Sequence, residues 1–307
     1  MDIIVIGGGA AGLMAAIHAA KDGAKVRLLE RNDKIGKKIL VTGNGKCNLS
    51  NLDSSLEHYV SHDTGRLREV FDAFSFSDAQ RFFEECGIVL KSRKGWLYPY
   101  CEQAQAVVSV LERKAREMGV SIKTRENVIS VQKEENGFTV NTETWHYPAD
   151  RVILTTGGPA SSVEGSGKEG MLLAADLGHH LYDPFPALVP LRIREKKYGV
   201  WAGTRMDAAA SLYIDGNLYG SEQGEIQFVD YGISGIAVFQ LSIAAVQAVR
   251  TGKKAEIILD LFPQYTENDL QELLEERRNT LKISREEDLF VGLLPDRMIK
   301  ALSLIHI

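Results

Sequence analysis

The residues best suited to chemistry lie at the start of the chain. Gly7, Gly9 and Gly12 stand in the spacing G-x-G-x-x-G, directly after the apolar run 3–6. Each glycine has a physical reason. Gly7 permits a tight turn out of a strand. Gly9 has no side chain to keep a pyrophosphate from the backbone, and Gly12 lets a helix pack close to a sheet. A helix N-terminus carries roughly half a positive charge and free N–H groups, which suits phosphate. Glu30 ends the apolar stretch that follows. A carboxylate there accepts hydrogen bonds from ribose hydroxyls and would repel a 2′-phosphate, which disfavours NADP in this site.

These residues need a βαβ unit to position them. The runs 3–6 and 25–29 read as buried strands, and the stretch 10–21, rich in Ala, Leu and Met, reads as the helix between them. The glycine- and asparagine-rich run 39–51 is long for a simple connection, and such loops are usually functional. There Lys37, Lys38 and Lys46 offer charge, and Thr42, Asn44 and Asn48 offer directional hydrogen bonds for a flavin or a phosphate. Helices are expected over 66–74 and 78–86 (capped by Ser77), and an amphipathic one over 103–118. Strands follow at 120–123, 128–133, 138–141 and 145–147, with Asn136-Gly137 as a hairpin signal. This is read as an antiparallel insert of three or four strands. The strand 152–154 runs into Thr155-Thr156-Gly157-Gly158, a second place where bare backbone passes a ligand.

From Pro184 the texture changes, which suggests a domain boundary. Strands are expected at 191–193, 208–214, 225–228 and 255–261. Helices are expected at 236–249 (capped by Ser234), 267–280 (capped by Thr266), 285–289 and 295–302. The 307 residues are 44% hydrophobic and 25% charged, enough for two domains. A net charge of −5 offers no broad basic field, which argues against a nucleic-acid partner. The three cysteines form no C-x-x-C, against a disulfide reductase or zinc ribbon. A chain opening directly on a strand suggests no signal peptide. The most apolar later stretch, 233–249, is too short and polar for a membrane span. The expectation is a reduced, cytoplasmic protein with no metal and a small-molecule substrate.

The blocks GGGAAG at 7–12, KIGKKILVTGNGKCNLSN at 34–51, TTGG at 155–158, FPALVPL at 185–191 and GEIQFVDYGISG at 224–235 cover much of the chain. In them the sequence resembles the YhiN/BaiN-like flavoproteins, the aminoacetone-oxidase family of FAD-dependent oxidoreductases. The T-G-N-G-[KR]-C-N block is the most specific. The resemblance implies an α/β fold: a Rossmann-like FAD-binding domain with a small antiparallel insert (1–186), plus a β-rich, barrel-like domain (187–263) carrying a helical insert (264–307). It implies a bacterial-type, glutathione-reductase-like FAD fold. Gly7, Gly9, Ala11 and Gly12 would face the pyrophosphate and Glu30 the adenosine ribose. Lys38, Thr42 and Asn48 would line the FAD cleft, Val128 would meet adenine through its backbone, and Gly157 and Gly158 would pass beside the cofactor. Cys47 is read as a small buried thiol without a redox role.

The chain departs from the family at Cys101, where a serine often opens the next helix, and at Lys168-Glu169. Nothing after Leu261 resembles the returning segment that closes such FAD domains, so the chain reads as truncated at its C-terminus. The function this implies is flavin hydride transfer to or from an unidentified small molecule, with NADH or NADPH as candidate electron donor. Two alternatives stay open: an NAD-binding dehydrogenase without flavin, and a non-catalytic truncated dinucleotide-binding protein. No catalytic acid or base is named. His179 and His180 are read as structural, and His58 and His62 fall in a loop without an assignment.

Overall fold

The computed structural model describes residues 1–305 apart from 62, 162, 164, 165, 195, 282 and 284. His62 thus lies outside the described residues. The chain divides into two compact units, Met1–Tyr182 and Asp183–Ile307.

The first unit opens with β1 (Asp2–Ile6), α1 (Ala10–Lys21) and β2 (Lys25–Glu30). The short helix α2 (Lys37–Val41), a 3-10 turn (Thr42–Gly45) and β3 (Ser50–Asn51) follow. The stretch 39–51 thus begins inside α2 and ends in β3, while its centre is irregular, with non-helical backbone at Gly43 and Asn44. Gly36 enters α2 at φ +74°, in the left-handed region. Next come α3 (Thr64–Ala73), α4 (Phe76–Glu85), the hairpin β4 (Leu90–Arg93) and β5 (Trp96–Pro99), and α5 (Ala104–Glu117). Then β6 (Ser121–Thr124), β7 (Val128–Glu134), β8 (Gly137–Thr142), β9 (His146–Ala149), β10 (Arg151–Leu154) and α6 (Glu169–Asp176) complete the unit.

Its parallel sheet has the order β10-β1-β2-β6. The stretch 120–123, read as part of the antiparallel insert, instead supplies β6, paired parallel to β2 with Leu28 opposite Ile122. The insert is the three-stranded sheet β7-β8-β9. Strand alternation divides the core between the two faces of the parallel sheet. Val5 and Leu28 pack with Leu13, Ile17, Val107 and Leu111 of α1 and α5. Ile4, Ile6 and Leu29 pack with Val131, Val140 and Tyr147 of the insert.

In the second unit, β11 (Leu191–Arg192), β12 (Arg205–Ile214), β13 (Asn217–Val229), β14 (Gly232–Ser234) and β15 (Ala255–Asp260) form one antiparallel sheet, order β11-β14-β13-β12-β15. The tight β12–β13 turn uses Asp215 and Gly216 at φ +50° and +81°. Helix α7 (Ile236–Arg250) buries Val238 and Leu241 against Leu212, Ile226 and Phe228. Ser234 is not its cap. Ser234 is a strand residue, and Gly235 takes the N-cap position without a side-chain bond. Helices α8 (Glu267–Thr280) and α9 (Asp296–Ile305) follow.

Two capping boxes mark local order that the sequence encodes. Thr266 and Asp269 close the one on α8. On α4 the cap is Ser75 rather than Ser77, because Asp78, three residues on, returns to the Ser75 N–H at 2.9 Å. Hydrogen bonds from Ser75 and Thr266 hold the Asp78 and Asp269 carboxyls below the ordinary carboxylate range. A folded-state pKa below the unfolded one stabilises fully above the unfolded value, and that contribution drains as pH falls through the folded value. Chemical denaturation should therefore give a midpoint that drops below about pH 4, near the unfolded carboxylate range. Ser75→Ala and Thr266→Ala should each cost about 1 kcal/mol at neutral pH and show a shallower acid drop.

Candidate functional site

The site forms where β1 gives way to α1. Gly7 has φ +106°, and its N–H donates to Leu29 O at 2.8 Å. A Cβ on it would press on the Thr155 carbonyl oxygen at 2.5 Å, and one on Gly12 would collide with the Gly7 carbonyl. Gly9 has nothing within 4 Å of the position a Cβ would take. That open space lies at the N-cap of α1, where no side chain caps the helix, so first-turn N–H groups are left to a ligand.

Thr155 locks the exit of β10 to this turn. Its N–H donates to Ile6 O at 2.9 Å, and its Oγ1 reaches Ile6 O at 2.9 Å and Gly7 O at 3.1 Å. Gly170 of α6 packs so close to Thr156 that no Cβ fits between them. Lys38 Nζ donates to Gly158 O at 2.8 Å, tying α2 to the segment after β10.

At the tip of β2, Glu30 is only 8% exposed. Its Oε2 accepts from Gly8 N at 2.8 Å, and its Oε1 accepts from both Asn32 nitrogens, each at 2.8 Å. The carboxylate is thus aimed and held in advance, with lone pairs left for a ligand hydroxyl. Glu126 N donates to Glu30 O at 2.9 Å, which brings the entry to β7 beside it.

Around this turn lies a cavity of about 450 Å³, within the ordinary range for small-molecule sites. Of the residues anticipated from sequence, Gly7, Gly9, Ala11, Glu30, Lys38, Thr42, Asn48, Val128 and Gly157 line it. Gly12 sits behind the lining against Gly7, and Gly158 meets Lys38 through its carbonyl. Asn44 is outside the lining. Lysine charge is largely committed to protein partners: Lys37 to Asp33 at 2.9 Å and Lys46 to Glu102 at 3.1 Å. Sequence reasoning missed Glu126, Asn127, Ser166 and Gly167, which also line the cavity. Glu126 and Asn127 directly precede Val128, so the strand start could have pointed to them.

The donor set fits a dinucleotide. Two buried polar atoms of the lining, Glu126 Oε2 and Ser166 Oγ, have no hydrogen-bond partner in the protein, as expected of groups that meet a ligand. Cys47 also lines the cavity, and burial pushes its thiol up against a weaker opposing bond from Thr42. Burial thus favours its neutral thiol form, which is the less nucleophilic one. Among the described residues no cluster of His, Cys, Asp and Glu could hold a metal, and no helix is long and apolar enough to cross a membrane. His58 pairs with Asp53 at 2.8 Å, and His180 stacks edge-on against Tyr182.

Residues 1–251 match the family described as the HI0933-like protein Rossmann domain. The chain belongs to this family. It is an FAD-dependent oxidoreductase of that group. Over 306 residues it is 36% identical to the 3-dehydro-bile acid delta(4,6)-reductase of Clostridium scindens, covering 99% of this chain and 75% of that protein. It is 27% identical to the ribosomal RNA dihydrouridine synthase of Haemophilus influenzae, covering 97% and 72%. A solved structure, the 3-ketosteroid-delta4-(5alpha)-dehydrogenase of Rhodococcus jostii, is similar at 17% identity with a TM-score of 0.49, over 71% of this chain and 62% of the other.

Thiol labelling checks the burial pattern. In the folded protein a maleimide should modify exposed Cys101 rapidly, while buried Cys47 and Cys86 should react only after denaturation. Prompt labelling of native Cys47 would contradict the packing described.

Proposed function

We propose that this flavoprotein delivers hydride to a carbon–carbon double bond conjugated to a carbonyl group in a small molecule. The observation that carries the reading is the cavity around Gly7–Gly9, flanked by the preset Glu30 carboxylate and the Thr155–Gly158 backbone. The chemistry common to two relatives supports the substrate class. A bile-acid delta(4,6)-reductase and a dihydrouridine synthase are both named for saturating ring double bonds. Bound FAD supplies the hydride chemistry, while the protein binds and orients it.

Residue roles follow the sheet order. Gly7, Gly9 and Ala11, with Gly12 packed behind them, receive the pyrophosphate. Glu30 takes the adenosine ribose, and the backbone of Val128 meets adenine, on the β2 side of the β1 turn. Lys38, Thr42 and Asn48, with Gly157 and Gly158, hold the flavin on the β10 side, because Lys38 is anchored to Gly158. Bile-acid-like enones, rather than RNA, are the favoured substrates. The dehydro-bile acid reductase is the more similar relative, and a net charge of −5 opposes phosphate backbones. NADH or NADPH serves as electron donor without a second dinucleotide fold, and the protein works in the cytoplasm.

The test is anaerobic. Chain reconstituted with FAD and reduced by NADH or NADPH should be reoxidised by a 3-oxo-4-ene steroid and not by a uridine-containing RNA. Reoxidation by RNA alone would replace the proposed substrate class, and a protein that retains no flavin would refute the cofactor assignment. Glu30→Ala should weaken FAD binding by about tenfold or more, the scale of a hydrogen bond to a charged group, measured by flavin fluorescence quenching.

A further inference from the structure

The loop that carries Thr42, Cys47 and Asn48 to the cavity has an unusual backbone. Gly43, Asn44, Gly45 and Cys47 all lie in the left-handed region, at φ +54°, +54°, +81° and +57°. Two of these are not glycine, so the conformation persists only if the surroundings impose it. One end is pinned to β5: Asn48 Nδ2 donates to Ser50 O and Leu97 O, each at 3.1 Å, and Leu49 N donates to Leu97 O at 2.8 Å. The middle is held from outside the cavity. Lys46 Nζ meets Glu102 Oε2 at 3.1 Å, and the other carboxylate oxygen of Glu102 meets Lys91 Nζ of β4 at 2.6 Å.

Glu102 is itself set for this task. It has φ +51°, and its N–H donates to Pro99 O at 2.8 Å, so a tight turn fixes it just ahead of α5. Hydrogen bonds from Lys91 and then Lys46 hold its carboxyl down to about 2. A lone surface ion pair does little. Here one carboxylate separates two ammonium groups, and its removal leaves like charges facing each other across the base of the loop.

We propose that Glu102, outside the cavity, is a positioning residue for the flavin half of the cofactor, fixing the Thr42–Asn48 loop through Lys46 while β4 supplies the counter-anchor Lys91. The inference rests on the placement of flavin and adenosine under the proposed function. With adenosine placed at Glu30 and Val128 under that function, neither of which bonds to Lys46 or Glu102, the clamp acts on FAD and not on its ADP portion.

The experiment measures dissociation constants of FAD and ADP, and the flavin absorption spectrum, on the full chain. Glu102→Gln should weaken FAD about tenfold and perturb the bound-flavin spectrum, leaving ADP within about twofold; such couplings are typical of residues sharing one network. Lys46→Met should reproduce a selective FAD loss, and the double variant should be no worse than Glu102→Gln alone. Unchanged FAD affinity in both single variants overturns the proposal, as does an equal loss of FAD and ADP. A wild-type chain that binds ADP but not FAD overturns the cofactor placement itself, and the clamp with it.

Discussion

Gly7 and Thr155 approach so closely that a Cβ has no place between them, and most of the first unit is arranged around that contact. Two strands far apart in sequence, β1 and β10, must end at the same height for the contact to form. The parallel register, Ile6 opposite Leu154, sets that height. The Thr155 hydroxyl then reaches two successive carbonyls, those of Ile6 at the end of β1 and of Gly7 just after it. With the turn fixed, α1 begins just after its N-cap Gly9 with an open N-terminus, and a concave site follows from backbone geometry before any side chain contributes.

The side chains that do contribute are set in advance by the protein. Glu30 is held by Gly8 and Asn32, and Lys38 by Gly158. Such pre-organisation lowers the ordering cost of binding. The buried atoms left without partners, Glu126 Oε2 and Ser166 Oγ, belong to residues of the cavity wall, where a bound ligand would meet them. A buried polar atom without a partner costs free energy, so their position in the cavity wall favours an occupant there.

Much of this was legible in the sequence, and the exceptions have physical causes. The glycine spacing and Glu30 were readable because the close approach permits only glycine and the strand tip permits a carboxylate. The sequence points to Ser77 as the cap of α4 rather than Ser75, because serine at either position suits an N-terminus and only the return bond from Asp78 decides for Ser75. Strand β6 reads as part of the insert in sequence, because a four-residue strand carries no mark of the partner it pairs with. Helix α2 hid behind Gly36, whose left-handed entry looks like loop chemistry. Glu102 left no local signal, because its partners Lys46 and Lys91 come from separate segments and meet only in the folded chain.

The central claim is that one dinucleotide lies across the β1–α1 turn, adenosine toward β2 and flavin toward β10. Amide hydrogen exchange with ADP and with FAD tests it most directly. ADP should protect residues 7–12, 30–32 and 126–128. FAD should protect these and, in addition, 42–48 and 155–158. Identical protection by both ligands, or FAD protection that spares the β1–α1 turn, would contradict the account.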